Sequence, residues 1–418
     1  MKAIAKKTLS TIALSVALAL GAGAVTTSFA AEAPKPSVSK ASIKPISEAQ
    51  KAINAKKFDE AVAKLNEVDS IAARTPYDIF AAAQLRAFAL AQLGKQTEAL
   101  PFYVAQIDSG FLPPEDAARL SRGVTQLYYV NKDFPKAIEW GRKTLDAGNG
   151  DGETWFFVAH AHYQQKDFAG AAKVATEYLS AVQKAGEKPK ENPLLVLLQS
   201  SYQVKDNANT VKALELLVQH YPKTDYWRDL LVTVRDGSGR GAGSDNYVFN
   251  MYRLMREAGT LRESIDFLEM AQLAISQGSP GEASDALRRG QAANAFSTES
   301  EKGAASKLQQ TAKALEETDR AGLAKFETEA KAAKAGEGDV RLGQALLSYD
   351  QAEKAVESLQ RGIAKGSLRN ADEAQILLGI ALLHQDRKAD AAMAFAAVKG
   401  TDARIATLAR LWGYFARG

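Results

Sequence analysis

The chain of 418 residues contains no cysteine, which excludes both a disulfide framework and a lipid anchor on an amino-terminal cysteine. Histidine is scarce: His160, His162, His220 and His384 are the whole supply. Only the first two are near neighbours, and two residues apart on a helix they point about 200° away from one another, so a shared metal ion is not expected. No thiol, and no Gly-x-Ser-x-Gly elbow or Ser-x-x-Lys set in a convincing context, supplies a nucleophile. Acid pairs such as Glu316 and Glu317 read as solvated helix surface. No catalytic residue, cofactor or metal is therefore assigned, and the chain is not expected to be an enzyme.

Excess charge of one sign is also missing. Lys2, Lys6 and Lys7 are the only charges in the first 30 residues, and removing that stretch leaves 50 basic and 49 acidic residues, a balance of +1. A chain so near neutrality, with no long basic run, lacks the electrostatic footprint of a nucleic-acid binder.

The one long apolar run, from Leu9 to Val25, follows those lysines, carries Gly21 and Gly23, and ends at Ser28-Phe29-Ala30. Small residues at those two positions before a polar, proline-containing stretch predict a secretory signal peptide over 1–30, cut after Ala30. The expected product is exported to the periplasm without stable membrane insertion. Residues 31–42, rich in Pro, Lys and Ser, read as a flexible leader.

What is present is a repeated phrase whose fourth residue is alanine. It reads Phe58-Asp59-Glu60-Ala61, Gln96-Thr97-Glu98-Ala99, Phe134-Pro135-Lys136-Ala137, Phe168-Ala169-Gly170-Ala171, Pro280-Gly281-Glu282-Ala283, Ala352-Glu353-Lys354-Ala355 and Lys388-Ala389-Asp390-Ala391. The alanines are 38, 38, 34, 112, 72 and 36 residues apart, and the two long intervals divide into three and two units of roughly 36 to 37 residues. Small residues recur where two helices must cross closely, at Ala159, Ala171, Ala271, Ala283, Gly343, Ala355, Gly379 and Ala391. Each helix pair leaves an apolar face bare, so stacking against the next pair is what buries it.

Asp236 to Ser244 is the sharpest break, with four glycines in nine residues. No Lys-Ser or Lys-Thr pair follows, so a flexible linker over 236–244 is expected there rather than a phosphate loop. It separates an array over 43–235 from a second over 245–418. Thr298 to Gly338 matches the phrase poorly, although Leu308, Ala312, Leu315, Leu323 and Phe326 keep helical spacing. Ile405, Leu408, Leu411, Trp412 and Phe415 form an amphipathic capping helix at the end.

The pattern resembles the tetratricopeptide repeat family, whose unit is a pair of antiparallel helices. Ser264 opens the best match, with Phe267, Ala271, Ala274, Gly278, Ala283, Leu287 and Phe296. Trp155, Ala159, Phe168 and Ala171 carry a second, and Leu378, Gly379, Leu382, Ala391 and Phe395 a third. The resemblance implies an all-α, right-handed superhelical solenoid of about ten pairs, acting as a protein-binding scaffold. It also implies a concave surface lined by the first helix of each unit. Carried over position by position, three columns result: Gln84, Arg122, Phe156 and Leu195; Phe88, Gln126, His160 and Gln199; Ala91, Tyr129, Tyr163 and Tyr202. This strip is aromatic and hydrogen-bonding rather than charged, which suits a peptide or protein loop. The same tyrosines could instead pack between helices.

A more local likeness runs from Lys188 to Trp227. Lys188-Pro189-Lys190-Glu191-Asn192, Leu194-Leu195, Leu217 to Lys223, and Tyr226-Trp227 resemble tetratricopeptide proteins encoded beside the TonB, ExbB and ExbD energy-transduction components. Pro193 stands where that group has an aromatic. This resemblance implies an accessory of TonB-dependent outer-membrane transport, with TonB, ExbD or an outer-membrane receptor as partner. An adaptor for envelope or exopolysaccharide export and assembly is the alternative. A peptidoglycan-associated enzyme on a helical superhelix is a third, and would need a lysozyme-like domain for which no residues are left over.

Overall fold

The computed structural model describes residues 36–237, 244–400 and 402–418. The predicted signal peptide, its cleavage site, most of the leader and the glycine-rich core of the linker lie outside the described residues. The described residues form helices and turns only. They belong to two compact units, one ending at Gly94 and the other running from Lys95 to Gly418.

In the first unit, α1 (Lys40–Asn54) and α2 (Phe58–Asp69) make an antiparallel pair, and α3 (Pro76–Gln92) packs on both. Thr75 and Asp78 close a reciprocal cap at the start of α3, satisfying two otherwise orphaned amides. Asp78 also accepts from the Ser39 amide at 2.8 Å and so holds the chain entering α1.

The second unit begins with α4 (Gln96–Asp108) and continues in pairs: α5 (Pro114–Val130) with α6 (Phe134–Asp146), α7 (Gly152–Gln164) with α8 (Phe168–Ala185), and α9 (Glu191–Val204) with α10 (Asn207–His220). Then follow α11 (Thr224–Gly237) with α12 (Ser244–Glu257), and α13 (Ser264–Ser276) with α14 (Pro280–Ala292). A single long helix α15 (Glu299–Ala332) precedes α16 (Glu337–Ser348) with α17 (Ala352–Lys365), α18 (Ala371–Leu383) with α19 (Lys388–Ala396), and a terminal α20 (Ala403–Arg417). First helices of successive units also touch, α5 on α7 and α7 on α9. That contact, with the pairing, makes this an all-α helical repeat solenoid.

Among the described residues one turn geometry recurs inside the helix pairs. At the end of α5 the Lys132 amide donates to Tyr129 and the Asp133 amide to Tyr128, at 3.0 and 2.9 Å, with Lys132 at φ 61°. This is the double hydrogen bond of a left-handed helix stop. Asp133 then caps α6 by accepting from the Lys136 amide. Lys166 with Asp167 and Lys205 with Asp206 repeat the arrangement. One residue that ends a helix and a next that starts one make a turn of three residues.

The small residues expected at crossings are all buried. A Cβ on Gly379 would lie 2.3 Å from the Phe395 ring, and one on Gly343 2.5 Å from Leu359. Thr210, which takes the alanine position on α10 where the phrase itself is missing, is buried with Leu214 and Leu217 behind it. Residues 298–338 depart from the repeat. The 72 residues from Ala283 to Ala355 were expected to span two units; one is the pair α16 and α17, and the other is replaced by α15, which has only three buried residues, Ala305, Ala312 and Ala330. Ala314-Leu315-Glu316-Glu317, where a turn would fall, are good helix formers with no stop signal.

The terminal helix does more than cap. Trp412 is fully buried and stacks on Phe395 of α19 at 5.5 Å, while Phe415 meets Trp227 of α11 edge-on at 5.9 Å. Arg410 pairs with Glu215 of α10 at 2.7 Å. By touching α10 and α12 as well as α18 and α19, α20 closes the second half of this unit on itself. One continuous apolar core accordingly runs from Val158 to Ala416.

Candidate functional site

Gln84 and Phe88 lie on α3 of the first unit, half-buried, with Phe88 edge-on to Phe58 at 6.4 Å. The rest of the strip lies in the second unit on α5, α7 and α9. Arg122, Gln126, Tyr129, Phe156, His160, Tyr163 and Leu195 are half-buried, and Gln199 and Tyr202 are exposed. Their seven- or eight-residue spread along each helix brings them to one face, because positions three and four apart repeat on a 3.6-residue helix.

The structure brings the middle of the strip into one aromatic cluster. Tyr129 packs within 6.1 Å of Phe134, Phe156, Phe157 and His160, with Phe157 nearest at 4.8 Å. Phe156, His160 and Tyr163 stack along α7 at 5.3 and 5.9 Å, and Tyr163 meets Phe168 at 5.1 Å. The Tyr129 hydroxyl lies 2.7 Å from His160 Nδ1, and the Gln164 amide 3.1 Å from His160 Nε2. Burial pushes the His160 pKa down and that of Tyr129 up. Both side chains are therefore neutral at neutral pH, and the cluster carries no charge of its own. His162 turns away to Asp167, at 2.7 Å.

Arg122 is committed elsewhere, donating to the Asn149 carbonyl at 2.9 Å and lying 3.8 Å from Asp151. Tyr202 stands apart from the cluster, 46% exposed and beside Thr233 on α11. Phe157 and Gln164 were missed in the sequence because they fall beside the three columns. Thr233 was missed because the columns stopped at α9, although the same phase continues into α11.

Residues 188–227 interlock within the chain. The Tyr221 hydroxyl donates to the Pro189 carbonyl at 3.0 Å, Tyr226 to Glu191 at 2.6 Å, and the Lys190 amide to the Tyr178 hydroxyl at 2.6 Å. Lys188 sits 4.5 Å from the Tyr221 ring centre. These contacts tie the start of α9 to the end of α10 and the start of α11, so the residues of the local likeness serve packing here.

A separate feature of this unit is charged. A cleft of about 900 Å³ is lined from α12, α14, α15 and the ends of α16 and α18. Beneath it Arg253, 1% exposed, grips Glu282 through Nε and Nη2 at 2.6 to 3.1 Å, and Arg256 reaches the same carboxylate at 2.9 Å. Burial opposes ionisation of Glu257, but His384 and Arg256 outweigh it and hold its pKa down at about 2. Among the described residues no helix is long and apolar enough to cross a membrane, and no three metal-ligating side chains converge.

No family model matches the chain, and no curated protein matches it. Solved structures do. A tetratricopeptide repeat protein from Parabacteroides merdae aligns at 11% identity over 66% of this chain and 99% of its own, with a TM-score of 0.31. The TPR2AB domain of yeast Sti1, solved as a pHSP90 complex, aligns at 14% over 72% and 99%, with a TM-score of 0.22. The C-terminal part of a TPR repeat-containing protein from Cytophaga hutchinsonii aligns at 12% over 69% and 98%, at 0.27. At such scores the architecture rests on the helix pairing itself.

Proposed function

We propose that this chain is a non-catalytic protein-binding scaffold that holds a peptide or protein loop against the first helices of its repeats. The observation that carries this reading is the neutral aromatic cluster of Tyr129, Phe156, Phe157, His160 and Tyr163, whose half-buried rings have apolar area still to cover. Aromatic rings with polar tips gain most from such coverage. In the finer reading the protein is exported, its leader cut after Ala30, and assists TonB-dependent uptake at the outer membrane. That reading rests on the signal-like amino terminus and the likeness of residues 188–227. An adaptor for envelope or exopolysaccharide export is the runner-up.

The test is in-cell photo-crosslinking from position 163, with the fully buried Ala61 as control. One dominant adduct from 163, absent from 61, supports the scaffold, and TonB, ExbD or an outer-membrane receptor in that adduct supports the uptake role. Equal labelling from both positions, or none from 163, would sink the assignment of the strip.

A further inference from the structure

The charged cleft holds an arrangement that the scaffold reading does not use. Its walls are α14, carrying Asp285, Arg288 and Arg289, and α15, carrying Lys313, Glu316 and Arg320. The cations stand further out than the carboxylates they pair with. Arg288 and Arg289 are 70% and 50% exposed and share one carboxylate, Asp285, which is 25% exposed; Arg320 is 53% exposed against 21% for Glu316, 3.9 Å away. Lys313 is exposed and has no acidic partner among the described residues. Of the lining acids only Asp350, in the turn after α16, is exposed. Glu282 and Glu257 at the floor are paired with Arg253 and Arg256, and His384 Nε2 lies 3.2 Å from Glu257.

Anything entering the cleft therefore meets guanidinium and ammonium heads first. Arg320 is further held by the Tyr349 ring, 4.0 Å from its guanidinium, and the Tyr349 hydroxyl in turn donates to Asp319. A guanidinium fixed in orientation loses less freedom when it grips a carboxylate bidentately. Lys313 and Arg320 are seven residues apart on one face of α15, about 10 Å along its axis. No single small anion spans that separation and reaches α14 as well.

We propose that this cleft is a binding site for an acidic protein segment, a run of Asp or Glu whose carboxylates are shared between Arg288 and Arg289 on one wall and Lys313 and Arg320 on the other. The carboxylates on one side of an extended acidic run, about 7 and 14 Å apart, bracket the roughly 10 Å between Lys313 and Arg320 and lie within reach of these long side chains, where one phosphate does not span them. The site is distinct from the aromatic strip, which is neutral and lies on other helices.

Fluorescence anisotropy of a labelled oligo-glutamate peptide with the full chain tests this. Saturable binding that weakens with salt is expected, with oligo-glutamine inert. Arg289→Ala with Lys313→Ala is expected to weaken the peptide about tenfold or more. Both side chains are exposed, so circular dichroism should stay as in the parent. Tyr163→Ala should bind as the parent does, and a loss there would move the peptide to the strip and overturn the proposal. It is equally overturned by no binding, by an unchanged affinity in the double variant, by tripolyphosphate competing as well as the peptide, or by tighter binding of a single-stranded oligonucleotide.

Discussion

Three lysines in the second unit, Lys132, Lys166 and Lys205, occupy the left-handed region at φ 61°, 62° and 56°. Each is exposed and ends the first helix of its pair. For a residue with a Cβ that conformation costs about 1–2 kcal/mol, whereas glycine adopts it freely and gives back roughly 0.5–1 kcal/mol through its looser unfolded chain. Replacement by glycine should therefore stabilise each turn by about 0.5–1 kcal/mol. The three turns belong to different units, share no partner, and should add to about 2 kcal/mol in Lys132→Gly/Lys166→Gly/Lys205→Gly. Followed by the helical signal in urea, with a slope near 3 kcal/mol/M, this raises the midpoint by roughly half a molar. Lys173→Gly, exposed in the interior of α8, is the control and should lose about 1 kcal/mol. A triple variant that melts at or below the parent midpoint, with the control behaving as expected, would refute the argument that backbone strain dominates these turns.

Two other outcomes follow from the same geometry. Gly379→Ala should lose about 1–3 kcal/mol, because its Cβ would fall 2.3 Å from the Phe395 ring in a packed layer; Gly123→Ala, helical with nothing within 4 Å, should gain about 0.5–1 kcal/mol. The two measured by one denaturation assay should shift in opposite directions. Glu257, held at about 2 from an ordinary 4.5, binds a proton more readily in the unfolded chain than in the folded one. Its contribution, at most roughly 3 kcal/mol, is complete above pH 4.5 and drains away as the pH falls toward 2. Over that window stability should fall less steeply in Glu257→Gln than in the parent; identical slopes would show that the His384 and Arg256 contacts do not act on this carboxylate.

The repeat was legible because burial at crossings leaves no choice of residue size. Ala61, Ala99, Ala137, Ala171, Ala283, Ala355 and Ala391 are each 0% exposed, and their spacing alone locates seven second helices. The turns were harder to read. A left-handed position announces itself when glycine fills it, as at Gly278, but lysine or aspartate at Lys132, Lys166, Asp350 and Asp386 carries no such signal. The aromatic strip was legible as a face, since helical phase fixes which side chains share it, but not as a cluster. Whether Tyr129 points outward or leans on Phe157 depends on how far α5 and α7 are apart, and no single sequence encodes that distance. The charged cleft was invisible for a further reason: its residues come from five helices and converge only once the chain has closed.

That closure depends on the two elements that obey the repeat least. Had the chain turned back at Ala314-Leu315-Glu316-Glu317, a second helix would run beside the first half of α15 and cover part of it. Instead α15 runs straight, and from Lys313 to Glu329 it has no buried residue, so Lys313, Glu316 and Arg320 are left lining an opening. At the far end α20 brings Trp412 and Phe415 between the last pair and α11, and Arg410 fixes it to Glu215, 195 residues away in sequence. Regular stacking supplies the apolar stability of the layers, since each pair is buried by its neighbours. The departures from regularity supply concavity, because a missing turn leaves a gap and a returning helix gives that gap walls. The neutral strip sits where the repeat is most regular and the charged cleft where it is least so, which is why a chain of one repeated phrase can present two surfaces of unlike chemistry.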